Sequence, residues 1–323
     1  LKIGESFALN NESGTGAYVV TKREHGVVLE MERFKDYWDT KSPGNVDKFI
    51  LTPIKENATR VAALLSGDVD FISPVPPQDF KRIESDSKVK LVTISGGRII
   101  TFQMNPNRVE AFKDARVRQA IVHAVNNTGI VKKIMKGTAT VAAQQGPKGY
   151  AGYKESLKPR YDVKKAKALL KEAGYAKGLE ITMMAPNNRY VNDAKIAEAT
   201  AQMLGKIGIK VNLKTMPKAQ YWNEFDARAA DMMMIGWHSD TEDSGNFSEF
   251  LIMCENKETG YGQYNSGYCN PKVDELTIAA QSETDLEKRA AMLQEIEQIL
   301  YDEAAFVPVS YTHLTLPTIR RGG

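Results

Sequence analysis

The chain has 323 residues, of which 42% are hydrophobic and 26% charged, a globular composition with enough length for two core-bearing units. Its 43 basic and 40 acidic residues give a net charge of +3 and are spread without a basic run, so no nucleic-acid partner is expected. No window offers the roughly 18 apolar residues of a bilayer span, and Leu1-Lys2-Ile3-Gly4-Glu5 lacks both an initiator Met and the apolar centre of a signal peptide, which reads as a processed or incomplete chain.

Near the start, Tyr18-Val19-Val20 and His25-Gly26-Val27-Val28-Leu29-Glu30-Met31 predict a hairpin, followed by a strand at Phe49-Ile50-Leu51 and a helix from about Asn57 to Leu65. A boundary is expected at Ser95-Gly96-Gly97, because the pattern beyond it changes. Val117, Ala120, Ile121, Ala124 and Val125 then mark a helical face, as do Val163, Ala166, Leu170 and Ala173 in a helix closed by Gly174. Leu179, Ile181 and Met183 alternate as a strand; Ile196, Ala199, Met203, Leu204 and Ile207 share one helical face, which Gly208 ends; Ile209, Val211 and Leu213 alternate again. This is a βαβ unit with parallel strands, and the fold class read from it is α/β.

Met232-Met233-Met234-Ile235-Gly236-Trp237-His238-Ser239-Asp240 reads as a buried strand that ends in an aromatic residue and an acidic loop continuing through Glu242 and Asp243. In open α/β sheets, ligands collect outside the carboxyl ends of such strands. Trp237 either covers the apolar part of a ligand or packs against the core; Asp240 either meets a cationic group or is solvated. Further on, Thr284 with Glu287 reads as a capping box, and Leu286, Leu293, Ile296 and Leu300 as the buried stripe of a long helix.

Cys254 and Cys269 lie in a segment rich in Asn, Gly, Tyr and Ser. Three readings fit: a short disulfide loop worth about 3 kcal/mol in an oxidising compartment, two unrelated thiols, or half of a metal site. No further Cys and no nearby His pair completes a tetrahedral zinc set, and no metal site is assigned. His238 with Met232 to Met234 offers soft donors for a metal-complex ligand, set against a core strand and a hydrogen-bonding wall residue.

Enzyme signatures are missing. Gly14-Thr15-Gly16 lacks the third glycine of a dinucleotide fingerprint, no Walker sequence or Gly-x-Ser-x-Gly elbow occurs, and no cofactor is called for. A carboxylate pair drawn from Asp240, Glu242 and Asp243 would serve glycoside hydrolysis only if residues so close in sequence faced each other across the bond.

Several segments resemble, in family order, the extracytoplasmic solute-binding proteins of ABC importers, of the large peptide, dipeptide and nickel class. These are Gly14-Thr15-Gly16-Ala17-Tyr18, Asp36-Tyr37-Trp38, the stretch from Arg60 to Asp70, the stretch from Asp114 to Ile121, the stretch from Lys165 to Tyr175, Gly236-Trp237, Tyr264-Asn265-Ser266-Gly267-Tyr268 and Pro271-Lys272-Val273-Asp274. The resemblance implies a two-lobed α/β fold of the class II type, with the solute enclosed between lobes and delivered to the transmembrane permease subunits, and no catalysis. It implies a monomer in the periplasm, or outside the cell on a lipid anchor. Residues 1–97 would be the later part of the first lobe, 98–305 the second lobe, and 306–309 the start of a return to the first.

On the same comparison the chain lacks parts that precede the Gly-Thr-Gly motif, so its first lobe is expected to be incomplete and capture by these residues alone weak. Residues 310–323 resemble translated adapter sequence and are set aside. Position by position, the resemblance assigns Asp240 to a ligand ammonium, Trp237 to the aromatic wall, and Arg189, in Pro186-Asn187-Asn188-Arg189-Tyr190, to a ligand carboxylate. It also pairs Cys254 with Cys269 and places Asn105 where the chain crosses between lobes, either lining the cleft or closing a turn. Glu242-Asp243-Ser244-Gly245 departs from the Gly-Asp-Pro run of dipeptide-binding relatives, which bears on the choice of solute.

Overall fold

The computed structural model describes residues 14–320; the first five residues, read for a leader, and the last three lie outside them. Two compact units emerge, Leu1–Ile72 and Ser73–Gly323. In the first, β1 (Tyr18–Glu24) and β2 (Val28–Arg33) form the expected antiparallel hairpin, and β3 (Lys48–Leu51) pairs with β2. Helix α1 (Asn57–Ser66) buries Val61 and Leu64, while Val19, Ile50 and Leu51 of the sheet remain exposed.

The second unit is built on six strands: β4 (Val89–Met104), β5 (Ala139–Val141), β6 (Leu179–Pro186), β7 (Ile209–Met216), β8 (Met232–Trp237) and β9 (Phe306–Arg320). Their order across the sheet is β5-β9-β4-β8-β6-β7. β6 runs parallel to both β7 and β8, as the βαβ periodicity requires, whereas β4 lies antiparallel to β8. Gly208, just before β7, adopts φ +91° and supplies the left-handed turn at which the preceding helix stops.

One face of the sheet is covered by α2 (Ala115–Ala124), α3 (Asn127–Lys133), α4 (Val163–Glu172) and α5 (Asp193–Gly205). The other is covered by α6 (Lys218–Asp226), α7 (Pro271–Ser282) and α8 (Leu286–Glu303). β8 shows why its sequence is apolar at every position. Met232 and Met234 enter the first core and Met233 and Ile235 the second, each at most 2% exposed. A strand buried on both faces cannot alternate with polar residues, and each fully buried side chain stabilises the fold by about 1.5–3 kcal/mol. The three methionines are therefore core residues, as the core-strand reading has it, and not soft metal donors.

One other expectation changes, that for the start of α8, and the sheet also places two stretches singled out in the sequence. Ser95-Gly96-Gly97 falls inside β4, which continues unbroken to Met104, and the compact units part between Ile72 and Ser73. The N-cap of α8 is Asp285, not Thr284: its carboxylate accepts from the amides of Glu287 and Lys288, and Leu286, expected in the buried stripe, is 78% exposed. Finally, residues 310–312, set aside in the sequence, pair with β4, and the buried Tyr311 hydroxyl reaches the carbonyls of Gln144 (2.6 Å) and Gly146 (2.8 Å).

Candidate functional site

The carboxyl ends of the parallel strands β6 and β8 lie at one end of the sheet, and the antiparallel register brings the segment of β4 around Ile99 to the same end, opposite Trp237. Three chain segments distant in sequence thus converge around the peptide of Gly236. Its amide donates to the Tyr190 hydroxyl at 2.8 Å, and its carbonyl accepts from Arg98 Nη1 at 3.2 Å. Position 236 has to be glycine, since a Cβ there would lie 2.6 Å from the Tyr190 ring and 2.8 Å from Ile100.

Arg189 precedes Tyr190, and its guanidinium lies over that ring, 4.9 Å from the centroid. Its loop is fixed by Asp193, whose Oδ2 accepts from the amides of Arg189 (2.8 Å) and Tyr190 (2.9 Å). Burial pushes the Asp193 carboxyl pKa up against those hydrogen bonds, and pushes the Tyr190 phenol up as well. Burial likewise lowers the pKa of Arg98, helped by the like charge of Arg189 and opposed by the Asp240 carboxylate.

Trp237 is half-buried, packed against Phe250 (5.2 Å between centroids) and Tyr264 (5.3 Å), with its indole N–H donating to Asn246 at 2.8 Å. The ring is thereby held in one orientation at the strand end while remaining part-exposed. The Cys254–Cys269 disulfide forms, closing the segment that carries Tyr264. Beyond the strand, His238 Nδ1 lies 3.8 Å from Asp240, whose side chain is 94% exposed. Asp243 is different in kind: it is buried, accepts from the Gly245 amide and meets Arg289 at 2.7 Å, so it holds the loop in place. Ala151 pairs with this loop through its amide to Glu242 and its carbonyl from Ser244.

The structure therefore brings together four of the sequence candidates, Trp237, His238, Asp240 and Arg189. It separates the fifth. Asn105 follows Met104, which pairs with Met232 at the opposite end of β8, and its side chain accepts from the Asn107 amide at 3.0 Å, the turn-closing alternative. Arg98 was missed in the sequence, because Ser95-Gly96-Gly97 read as a break rather than as part of a strand. A cavity of about 470 Å³ lies elsewhere, lined by His123, Arg160, Lys165 and Tyr301.

Residues 3–259 match the model of the bacterial extracellular solute-binding proteins, family 5. The chain belongs to this family. It is 28% identical over 315 residues to the dipeptide-binding protein of Escherichia coli, covering 95% of this chain and 57% of that protein. It is equally 28% identical over 303 residues to the glutathione-binding protein of Salmonella paratyphi A, covering 92% of this chain and 58% of that protein. Among solved structures it superimposes on the periplasmic binding protein of Helicobacter pylori in complex with the peptide STSA, with a TM-score of 0.81 at 27% identity, over 95% of this chain and 59% of that one. The α/β architecture expected from the sequence is that of these family 5 proteins. The chain spans a little under two thirds of the length of the relatives it matches.

Proposed function

We propose that the protein carrying this chain is the substrate-binding component of an ABC importer, taking a peptide or a similar small amino-containing solute and handing it to a membrane permease. What carries this reading is the convergence of Asp240, Trp237 and Arg189 at one end of a family 5 sheet. Asp240 accepts from the ligand ammonium, a charge-assisted hydrogen bond worth about 1.5–3 kcal/mol once the site is closed to water. Trp237 covers apolar side chains without selecting among them. Arg189 offers a planar fork to a carboxylate, and His238 flanks Asp240 as a wall residue.

In this reading residues 1–97 belong to the first lobe, 98–305 form the second, and the chain turns back toward the first at 306–309. Closure is driven by a solute that touches both lobes at once, so the protein works by differential binding rather than by turnover. The Cys254–Cys269 bridge fits an oxidising location, the periplasm or the outer surface of the cell, and the working species is a monomer.

A thermal-shift screen of the whole protein against di- to pentapeptides, opines, sugars and nickel tests the assignment. Peptides should raise the melting temperature by linkage, and Asp240→Ala should remove the rise. Stabilisation by sugars or nickel alone would overturn the solute class and the role of Asp240.

A further inference from the structure

Arg98 is the feature of this strand end that the reading above leaves without a task. Its guanidinium has five N–H donors, and among the described residues the one acceptor it meets is the Gly236 carbonyl at 3.2 Å. Among the described residues no carboxylate lies within ion-pair distance of it. It is half-buried, so water compensates its charge only in part, and the Arg189 guanidinium is near enough to disfavour that charge further. Two guanidiniums thus flank the Gly236–Tyr190 contact, Arg98 through the Gly236 carbonyl and Arg189 over the Tyr190 ring.

The carboxylates around them do not balance this pair. Asp193 is committed to backbone amides, Asp243 is paired with Arg289, and the Glu242 carboxylate is exposed and acts on Tyr150, whereas the carboxylate that acts on Arg98 is that of Asp240. That leaves Asp240, exposed and on the far side of Trp237 in sequence. Two fixed positive charges and one negative charge complement a solute of the opposite pattern, with one ammonium and two carboxylates.

We propose that Arg98 is a specificity-determining residue that receives a second carboxylate of the solute, so that the site selects acidic peptides or amino-dicarboxylates over their amide isosteres. This rests on the binding-protein reading and names its solute class. Arg189 takes one carboxylate and Arg98 the other, and Asp240 takes the ammonium. An amide in place of the second carboxylate still fits the space, yet leaves the Arg98 charge uncompensated.

The test is isothermal titration of the whole protein with matched dipeptides, Ala-Glu against Ala-Gln and Glu-Ala against Gln-Ala, with Ala-Ala as reference. The acidic member of one pair should bind about tenfold tighter or better, the gain of one charge-assisted contact. In Arg98→Gln that ratio should fall toward one, and Arg98→Lys should restore part of it; a residue that only supported the fold would shift both members of a pair together. Equal affinities within both pairs in the unaltered protein would overturn the inference while leaving the peptide reading standing. Failure of every dipeptide to bind would overturn both.

Discussion

The Tyr190 hydroxyl accepts the Gly236 amide proton at 2.8 Å, locking the loop that follows β6 to the end of β8. Both partners are buried, so neither finds water when the other is removed. Tyr190→Phe should therefore cost about 1–3 kcal/mol, the desolvation penalty of an orphaned amide, seen as a lower urea midpoint at unchanged slope. A loss below a few tenths of a kcal/mol would mean that the loop is held elsewhere.

Glu297, on α8, is 1% exposed, and its carboxylate accepts the amides of Gln145 (3.1 Å) and Gly146 (3.4 Å). Burial pushes its pKa up to about 7 against those two donors. A carboxyl whose folded pKa lies above its unfolded value contributes stability that is complete below the unfolded pKa, near 4.5, and is lost as pH rises through about 7. Its ionisation should cost roughly 3 kcal/mol in all across that window. Glu297→Gln should flatten this part of the stability profile, measured as melting temperature from pH 4.5 to 8. An unchanged slope in the variant would assign the pH dependence to other groups.

The bridge between Cys254 and Cys269, separated by 15 positions, closes a loop whose Asn265 side-chain amide reaches the carbonyls of Ile252, Met253 and Tyr268 at 2.6–2.8 Å. The same loop carries Tyr264, one of the rings against Trp237. Replacing both cysteines with Ala should lower stability by about 3 kcal/mol and alter Trp237 fluorescence, because the loop gains freedom in the unfolded state and loosens in the folded one. A double variant as stable as the parent would show that the Asn265 contacts hold the loop unaided.

Local periodicity made much of this fold legible. The βαβ unit from Leu179 to Met216 and the uninterrupted apolar run of β8 each report their environment through neighbours a few residues away. Helix α6 escaped notice because Tyr221, Trp222 and Phe225 cluster as aromatics over a single turn, too short a stretch to show a period. Thr284 and Asp285 are both good capping residues, and only the backbone decides which one stands at the first turn.

The candidate site was legible as a cluster where one strand end delivers it, at Trp237, His238 and Asp240. It was not legible where it depends on register. Arg98 donates to Gly236 across 138 positions because β4 lies antiparallel beside β8, and the same register carries Asn105 to the other end of the sheet.

The most direct measurement of the central claim compares a free-amine dipeptide with its N-acetyl derivative by isothermal titration, in the whole protein and in Asp240→Asn. If Asp240 receives the ammonium, the free amine should bind about ten- to a hundredfold tighter in the parent, and the advantage should vanish in the variant. An N-acetyl peptide that binds as tightly as the free amine, or an advantage that survives in Asp240→Asn, would contradict the account.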